Sequence, residues 1–131
     1  MIKVAASGYF NPLHKGHVEY LEMARSLGDH LVVIVNSDLQ RRLKGSKEFM
    51  DEIERLYIVR SLRCVDEVFL SVDVDGTVCA SLAAVRPHIF AKGGDRFTGE
   101  IPEADVCNRL GIKMVDGLGA KVQSSSWLLS K

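Results

Sequence analysis

The chain alternates short apolar runs with longer segments in which apolar side chains recur at helical spacing. The clearest strand is HLVVIVNS at 30–37, because it is β-branched and apolar on both faces, like a central strand of a parallel sheet. The same pattern predicts further strands at 2–6, 67–72, 88–91 and 112–115. Helices are predicted between them at 17–27, 51–63, 77–85 and 102–111, with a short serine-capped helix in the tail at 123–131. This alternation predicts a doubly wound, parallel α/β sheet.

One basic segment interrupts this pattern between the second strand and the next helix. Residues 38–47 include Arg41, Arg42, Lys44 and Lys47 around the small residues of KGSKE. Such a run is usually a solvated face, whereas a Lys-Gly-Ser-Lys hinge is also compatible with a lid over a ligand. We therefore predict a mobile loop over 38–47.

Composition narrows the class of protein. The 131 residues predict a single domain over 1–131, and 17 basic side chains cancel 17 acidic ones, so the chain lacks the positive field that drives binding to nucleic acids or membrane surfaces. No apolar run reaches the roughly 18 residues of a membrane span, and the amino terminus does not resemble a signal peptide. The scattered cysteines, Cys64, Cys79 and Cys107, lie in apolar contexts, which predicts buried thiols in the reducing cytoplasm.

The turn after the first strand is the first candidate site. In open α/β sheets, ligands bind beyond the carboxyl ends of the strands, and SGYFNPLHKGH at 7–17 lies there. Gly8 would allow a tight turn, and Gly16 would let a ligand approach the start of the helix, where free amides attract phosphate. His14 and His17 would add two imidazole donors that stabilise phosphoryl oxygens during group transfer. The turn therefore predicts an anion-binding site.

Two simpler explanations of the histidine pair stay open. Both side chains could merely cap the helix, with no ligand at all. The HxxH spacing also occurs in metal sites, but no cysteine or third histidine lies at a usual spacing, so we predict no protein-bound metal there. The common phosphate-loop patterns do not occur: GxxxxGK[ST] is missing, and GLGAKV at 117–122 lacks the third glycine of a dinucleotide loop.

A more specific resemblance extends beyond this turn. The segment GYFNPLHKGHVEYLEMARSLGDHLVVIVNSD resembles the HxGH nucleotidylyltransferases, in which G-x-F-[DN]-x-x-H-x-G-H precedes a helix. Arg55 with VRSLRCVDEVFLSV resembles the family's R-x-x-x-[LV]-x-x-L-x-x-V-D-E-V segment, KGGDRF at 92–97 its GGD turn, and VQSSSWLL at 122–129 its closing motif. Asn11 stands where aspartate is commoner, and the closing motif has serines where a threonine is usual. The likeness nevertheless covers nearly the whole chain.

The resemblance implies a Rossmann-like three-layer α/β/α fold with a five-stranded parallel sheet. It also implies a cytoplasmic, magnesium-dependent enzyme, commonly a homodimer, that joins a nucleoside triphosphate to a phosphorylated small molecule and releases pyrophosphate. KGGD and IPEADVCNRLG are most similar to the adenylyltransferase branch of ADP-heptose synthase, in lipopolysaccharide core biosynthesis, and the chain length to glycerol-3-phosphate cytidylyltransferase. We therefore expect ATP as the nucleotide and a sugar phosphate as the acceptor, with CTP as the alternative.

Residue roles follow from the resemblance, position by position. His14 and His17 would hold the α-phosphate in the transition state, and Lys44 would clamp phosphates. Arg55 would bind substrate or triphosphate charge, unless it is only a surface ion-pair partner. The other residues expected to bind the nucleotide are Gly8, Tyr9, Phe10, Lys15, Gly16, Gly93, Gly94, Asp95, Ser124, Ser125 and Ser126. Without the resemblance, Asp95 is a turn residue and the serines are a helix cap.

Other functions fit parts of the sequence. A glycerol-3-phosphate-type cytidylyltransferase or a flavin-nucleotide adenylyltransferase would have the same motifs. A non-catalytic nucleotide-binding module would keep the fold but is expected to lose a motif histidine or the loop lysine, which this chain retains. A zinc-binding interaction domain would keep its metal through purification. The acceptor is chosen by scattered pocket side chains that have no motif of their own.

Overall fold

A computed structural model of the chain describes residues 1–93 and 102–116. Its strands, in chain order, are β1 (Lys3–Gly8), β2 (His30–Val35), β3 (Glu67–Leu70), β4 (Ile89–Ala91) and β5 (Lys113–Val115). Its helices are α1 (Lys15–Arg25), α2 (Asp38–Lys44), α3 (Glu52–Arg60), α4 (Cys79–Val85) and α5 (Glu103–Leu110). The helix predicted at 123–131 lies outside the described residues.

The described strands form one five-stranded sheet in the order β3-β2-β1-β4-β5, and every pairing is parallel. Alternate residues of β1 and β2 face the helix layers on opposite sides of the sheet. Ala6 and Val33 pack with residues of α1 and α3, whereas Ala5 and Ile34 pack with residues of α4 and α5. The predicted Rossmann-like α/β/α fold with a five-stranded parallel sheet is therefore confirmed.

The strand order reverses at β1, which pairs with β2 on one side and with β4 on the other. Direct pairing of β1 with β4 ends at Ala5 opposite Phe90. Beyond that point the buried hydroxyl of Tyr20, in α1, accepts from the amide of Ser7 at 3.3 Å and donates to the carbonyl of Ala91 at 2.6 Å. Burial raises the pKa of Tyr20, so the hydroxyl stays a donor. The side chain thus bridges the carboxyl ends of two strands where such sheets bind ligands.

Residues 38–44 form helix α2, so the loop predicted over 38–47 is wrong for this stretch. Ser37 caps the helix by accepting from the amide of Gln40 at 3.2 Å, and Gly45 ends it at a φ of 80°, in the left-handed region that glycine adopts most easily. Arg41 is buried rather than solvated, and it donates to the carbonyl of Ser46 at 2.6 Å and the carboxylate of Glu48 at 3.1 Å. The basic run is therefore partly a structural element.

Smaller differences concern the start of α1 and the cysteines. Helix α1 begins at Lys15 rather than at residue 17, because His14 caps it. Cys107 is buried as predicted, whereas Cys64 and Cys79 are only half-buried. Within 1–93 and 102–116, no helix has the length and apolar character needed to cross a membrane.

Candidate functional site

The two histidines of the β1–α1 turn cap helix α1. Nδ1 of His14 accepts a hydrogen bond from the amide of Gly16 at 3.1 Å, and Nδ1 of His17 accepts from the amide of His14 at 3.1 Å. These reciprocal bonds form a capping box, in which side chains satisfy amides that have no partner within the helix. The structure thus contains the helix cap that the sequence offered as an alternative explanation, and this cap uses one nitrogen of each ring.

The cap also fixes which ring nitrogen carries the proton. A nitrogen that accepts a hydrogen bond has no proton, so neutral His14 and His17 carry theirs on Nε2. The two rings stack with their centroids 3.8 Å apart, and the ring of Phe10 contacts His17 edge-on at 5.1 Å. Oriented Nε2–H donors of this kind can bind phosphoryl oxygens as negative charge moves between them.

Gly8 and Gly16 make room for the rings of this turn. A Cβ on Gly8 would lie 2.7 Å from the ring of Phe10, and one on Gly16 would lie 3.0 Å from Cε1 of His14. Gly8 is the last residue of β1, so the tight turn predicted at Gly8 is wrong. The residue of this turn with a left-handed backbone conformation is Phe10, with a φ of 52°. The amides of Gly16 and His17 are bound to the side chain and carbonyl of His14. Those two amides are therefore not the free anion donors that we predicted.

Acidification is expected to destabilise the chain through His17. Burial, and secondly the neighbouring His14, lower the pKa of His17 from 6.5 to about 4. The unfolded chain binds this proton near pH 6.5 but the folded chain only near pH 4, so the stabilisation is complete above pH 6.5 and is lost as the pH falls between these values. Denaturant unfolding at about pH 7 and about pH 4.5, together with NMR titration of the His17 ring, measures this loss.

His17→Gln is the control for this prediction. Glutamine also completes a capping box at this helix position but does not titrate, so the variant should lose less stability on acidification than the unaltered chain. An equal loss in both proteins would show that other groups are responsible.

The histidine pair lies in a cleft of about 480 Å³ between the β1–α1 turn and residues 46–50, the segment that we call the cleft wall. The described residues that line it are Tyr9, Phe10, Asn11, Pro12, His14, His17, Lys44, Ser46, Lys47 and Phe49. Nζ of Lys44 lies 4.5 Å from the centre of the Tyr9 ring. None of these lining residues is acidic, so Lys44 and Lys47 make the cleft electropositive. The structure thus brings His14, His17 and Lys44 to one place suited to a polyanion.

Arg55 is completely buried behind the cleft, with 0% of its surface exposed. Nη1 donates to the carbonyls of Tyr9 at 2.8 Å and Asn36 at 2.6 Å, and Nε donates to the carbonyl of Met50 at 3.0 Å. Nη2 donates to Oδ1 of Asp38 at 2.8 Å. The alternative that Arg55 is only a surface ion-pair partner is therefore wrong. The buried guanidinium is also not open to the substrate contact that the resemblance implied. Arg55 instead joins the ends of β1 and β2 to the cleft wall.

Asp38 is the anionic partner of Arg55. Desolvation by burial would raise the pKa of Asp38, but hydrogen bonds from Arg55 and from the amide of Glu52, with the charges of Arg55 and Arg41, lower it below its ordinary value. Asp38 and Glu52 also accept from each other's amides, at 3.2 Å and 2.8 Å. The ionised carboxylate thus links the starts of α2 and α3 and keeps Arg55 paired.

Other residues predicted to bind the nucleotide lie away from the cleft or outside the described residues. Lys15 is exposed at the start of α1 and does not line the cleft. Gly93 follows β4, where an added Cβ would contact the ring of Tyr20 at 3.4 Å. Their assignments stay predictions, as do those of the residues outside the described ranges, Gly94, Asp95, Ser124, Ser125 and Ser126.

Asn11 and Tyr20 are the residues that the sequence did not single out for a role at the site. Asn11 contacts the backbone of the cleft wall, and Tyr20 bridges β1 and β4. A sequence signal existed for Tyr20, which follows His17 by three positions, so that both lie on one face of α1. None existed for Asn11, because its partners lie 36 to 39 residues away in the chain.

A parallel sheet that carries an HxGH turn beside the reversal of its strand order, with a basic cleft next to that turn, defines a Rossmann-like domain of the nucleotidyltransferase type. The chain belongs to the cytidylyltransferase-like family, whose model matches residues 5–111.

Its relatives include proteins named bifunctional protein HldE and proteins named FAD synthase. Bifunctional protein HldE of Pelobacter propionicus is 42% identical over 130 residues, which are 98% of this chain and 25% of that protein. FAD synthase of Thermoplasma volcanium is 37% identical over 112 residues, which are 86% of this chain and 78% of that protein. The chain therefore spans about a quarter of the HldE relative and most of the FAD synthase. The crystal structure of the lipopolysaccharide core biosynthesis protein of Thermoplasma volcanium is also similar, with a TM-score of 0.76 at 33% identity over 88% of this chain and 95% of that one.

Proposed function

We propose that this chain is a nucleotidyltransferase that transfers the adenylyl group of ATP to the phosphate of a small molecule and releases pyrophosphate. The observation that carries the proposal is the histidine pair, whose capping bonds direct both protons to Nε2 in a cleft that also contains Lys44 and Lys47. Membership of the cytidylyltransferase-like family supports the same class of reaction.

The reaction needs little covalent help from the protein. An oxygen of the acceptor phosphate attacks the α-phosphorus of ATP, and the bond from that phosphorus to the β-phosphate oxygen breaks, so pyrophosphate leaves with the electron pair. Nε2–H groups of His14 and His17 would hydrogen-bond the α-phosphate oxygens as their charge increases, and Lys44 would pair with the departing phosphates. Neutral His17, with a pKa of about 4, is a donor in this scheme and not a base.

Magnesium would enter this site on the triphosphate. Among residues 1–93 and 102–116, no group of three His, Cys, Asp or Glu side chains could hold a metal ion, and the described lining of the cleft contains no carboxylate. Mg²⁺ keeps several waters and commonly binds through substrate phosphates, so the cleft fits an ion whose ligands are mainly phosphate and water. The ion would neutralise part of the negative charge of the phosphates.

The sequence and the structure constrain the identity of the acceptor less than that of the nucleotide. A sugar phosphate is our first candidate, because the sequence is similar to the adenylyltransferase branch of ADP-heptose synthase. A flavin nucleotide is the second, because Phe49 is 64% exposed and lines the cleft, where its ring offers a stacking surface to a flat acceptor. The extensive match to FAD synthase supports the same candidate.

ATP with Mg²⁺ is expected to raise the melting temperature of the chain. A ligand that binds only the folded state, at 100 times its Kd, adds about 2.7 kcal/mol to the free energy of unfolding. Lys44→Met should reduce the shift, whereas Arg42→Met should not, because Arg42 lies on the same helix but does not line the cleft. A shift with CTP alone would favour the cytidylyl alternative, and no shift with any nucleoside triphosphate would contradict the proposal.

Turnover separates an enzyme from a non-catalytic nucleotide-binding module. We expect pyrophosphate release from ATP when the correct acceptor class, sugar phosphate or flavin nucleotide, is added. ATP binding without pyrophosphate release from any acceptor would favour the module. The homodimer stays a prediction, which sedimentation velocity tests directly.

A further inference from the structure

The cleft wall, residues 46–50, lies between α2 and α3 and forms neither helix nor strand. Its backbone groups therefore have no regular ladder, and other groups must satisfy them. Side chains do so at both ends, where Arg41 donates to the carbonyl of Ser46 at 2.6 Å and Arg55 donates to the carbonyl of Met50 at 3.0 Å. Between these points the wall is held by Asn11, which belongs to the β1–α1 turn.

The carboxamide of Asn11 bonds to the wall at three places. Nδ2 donates to the carbonyl of Lys47 at 2.7 Å, and Oδ1 accepts from the amides of Phe49 at 2.9 Å and Met50 at 3.0 Å. This pattern needs a donor and an acceptor on one short side chain, which is what a carboxamide provides. An ionised aspartate could accept from the two amides, but it could not donate to Lys47, and its second oxygen would face that carbonyl oxygen.

We infer that Asn11 is a positioning residue that clamps the cleft wall to the β1–α1 turn and so sets where Lys47 and Phe49 meet a ligand. Both of these residues line the cleft, and the bonds to Asn11 are made by their own backbone groups. Asn11 precedes His14 by three residues in the same turn, so the clamp also fixes the wall relative to the histidine pair. The inference rests on the proposed function for the nature of the ligand, whereas the clamp is a property of the folded chain.

Amide hydrogen exchange of the whole chain tests the clamp without any substrate. The amides of Phe49 and Met50 should exchange about tenfold faster in Asn11→Ala than in the unaltered chain, because each loses its hydrogen-bond acceptor. Asn108→Ala is the matched control, since Asn108 is exposed on α5, and it should leave both amides unchanged. Unchanged exchange of Phe49 and Met50 in Asn11→Ala would overturn the clamp.

Steady-state kinetics separates positioning from a purely structural role. Asn11→Ala should raise the KM for ATP or for the acceptor about tenfold and leave kcat within about twofold, because wall contacts bind the ground state and the transition state alike. Faster exchange with an unchanged KM would overturn the positioning role. If the proposed function itself fails, the unaltered chain releases no pyrophosphate either, and the exchange rates alone decide the clamp.

Discussion

His14→Ala is expected to lower kcat by about a hundredfold to a thousandfold, the usual result of removing one oriented donor from a site where charge develops. The substitution deletes the Nε2–H together with the Nδ1 that accepts from the amide of Gly16. ATP affinity should fall much less than kcat, because the donor acts mainly on the transition state. Single-turnover rates and ATP-dependent melting shifts on the same variant compare the two effects.

His14→Asn separates the chemistry of the ring from the helix cap. Asparagine is among the preferred N-cap residues, so its stability should approach that of the unaltered chain, but it has no group at the position of Nε2. We expect its kcat to be as low as that of His14→Ala. Recovery of turnover in His14→Asn would show that the imidazole is only a cap. Equal losses of kcat and ATP affinity in His14→Ala would contradict the transition-state role.

The sheet could be predicted because each strand is a short apolar run, and β2 is apolar toward both layers. The exact start of α1 could not, because a histidine cap is only one of the explanations that the sequence leaves open, and Ser, Thr, Asp or Asn are the usual caps. The charged residues of 38–47 favour a loop in the sequence, because they obscure the buried side chains Gln40 and Arg41 of α2. Nη1 and Nη2 of Arg41 donate to Ser46 and Glu48, a tertiary arrangement that periodicity does not show.

The histidine pair and Lys44 could be predicted to meet because parallel strands present their carboxyl-end loops at one edge of the sheet. The orientation of Arg55 could not be predicted in this way. Its partner Tyr9 is 46 residues away in the chain and Asn36 is 19 away, so only the folded chain shows that their carbonyls converge on one guanidinium. The same holds for Asn11, whose departure from the commoner aspartate gains a physical reason from the carbonyl of Lys47.

Arg55→Met is expected to lower the free energy of unfolding by about 3–5 kcal/mol, because it removes the buried member of an ion pair together with the donor to three backbone carbonyls. Methionine keeps an unbranched stem but leaves the Asp38 carboxylate and the carbonyls of Tyr9, Asn36 and Met50 without these donors. Urea denaturation measures the change. Arg60→Met is the matched control on the same helix, and its exposed position should keep the effect within about 0.5 kcal/mol.

Turnover should fall together with stability in Arg55→Met, because Arg55 restrains the turn that carries the histidine pair. The Tyr9 carbonyl that it holds precedes Phe10, whose φ of 52° is costly for a residue with a side chain, and the ring of Phe10 contacts His17. Loss of Arg55 removes the restraint on that conformation and loosens the rings that depend on it. A loss of ATP affinity with an unchanged free energy of unfolding would contradict this positioning role and favour the direct phosphate contact implied by the family resemblance.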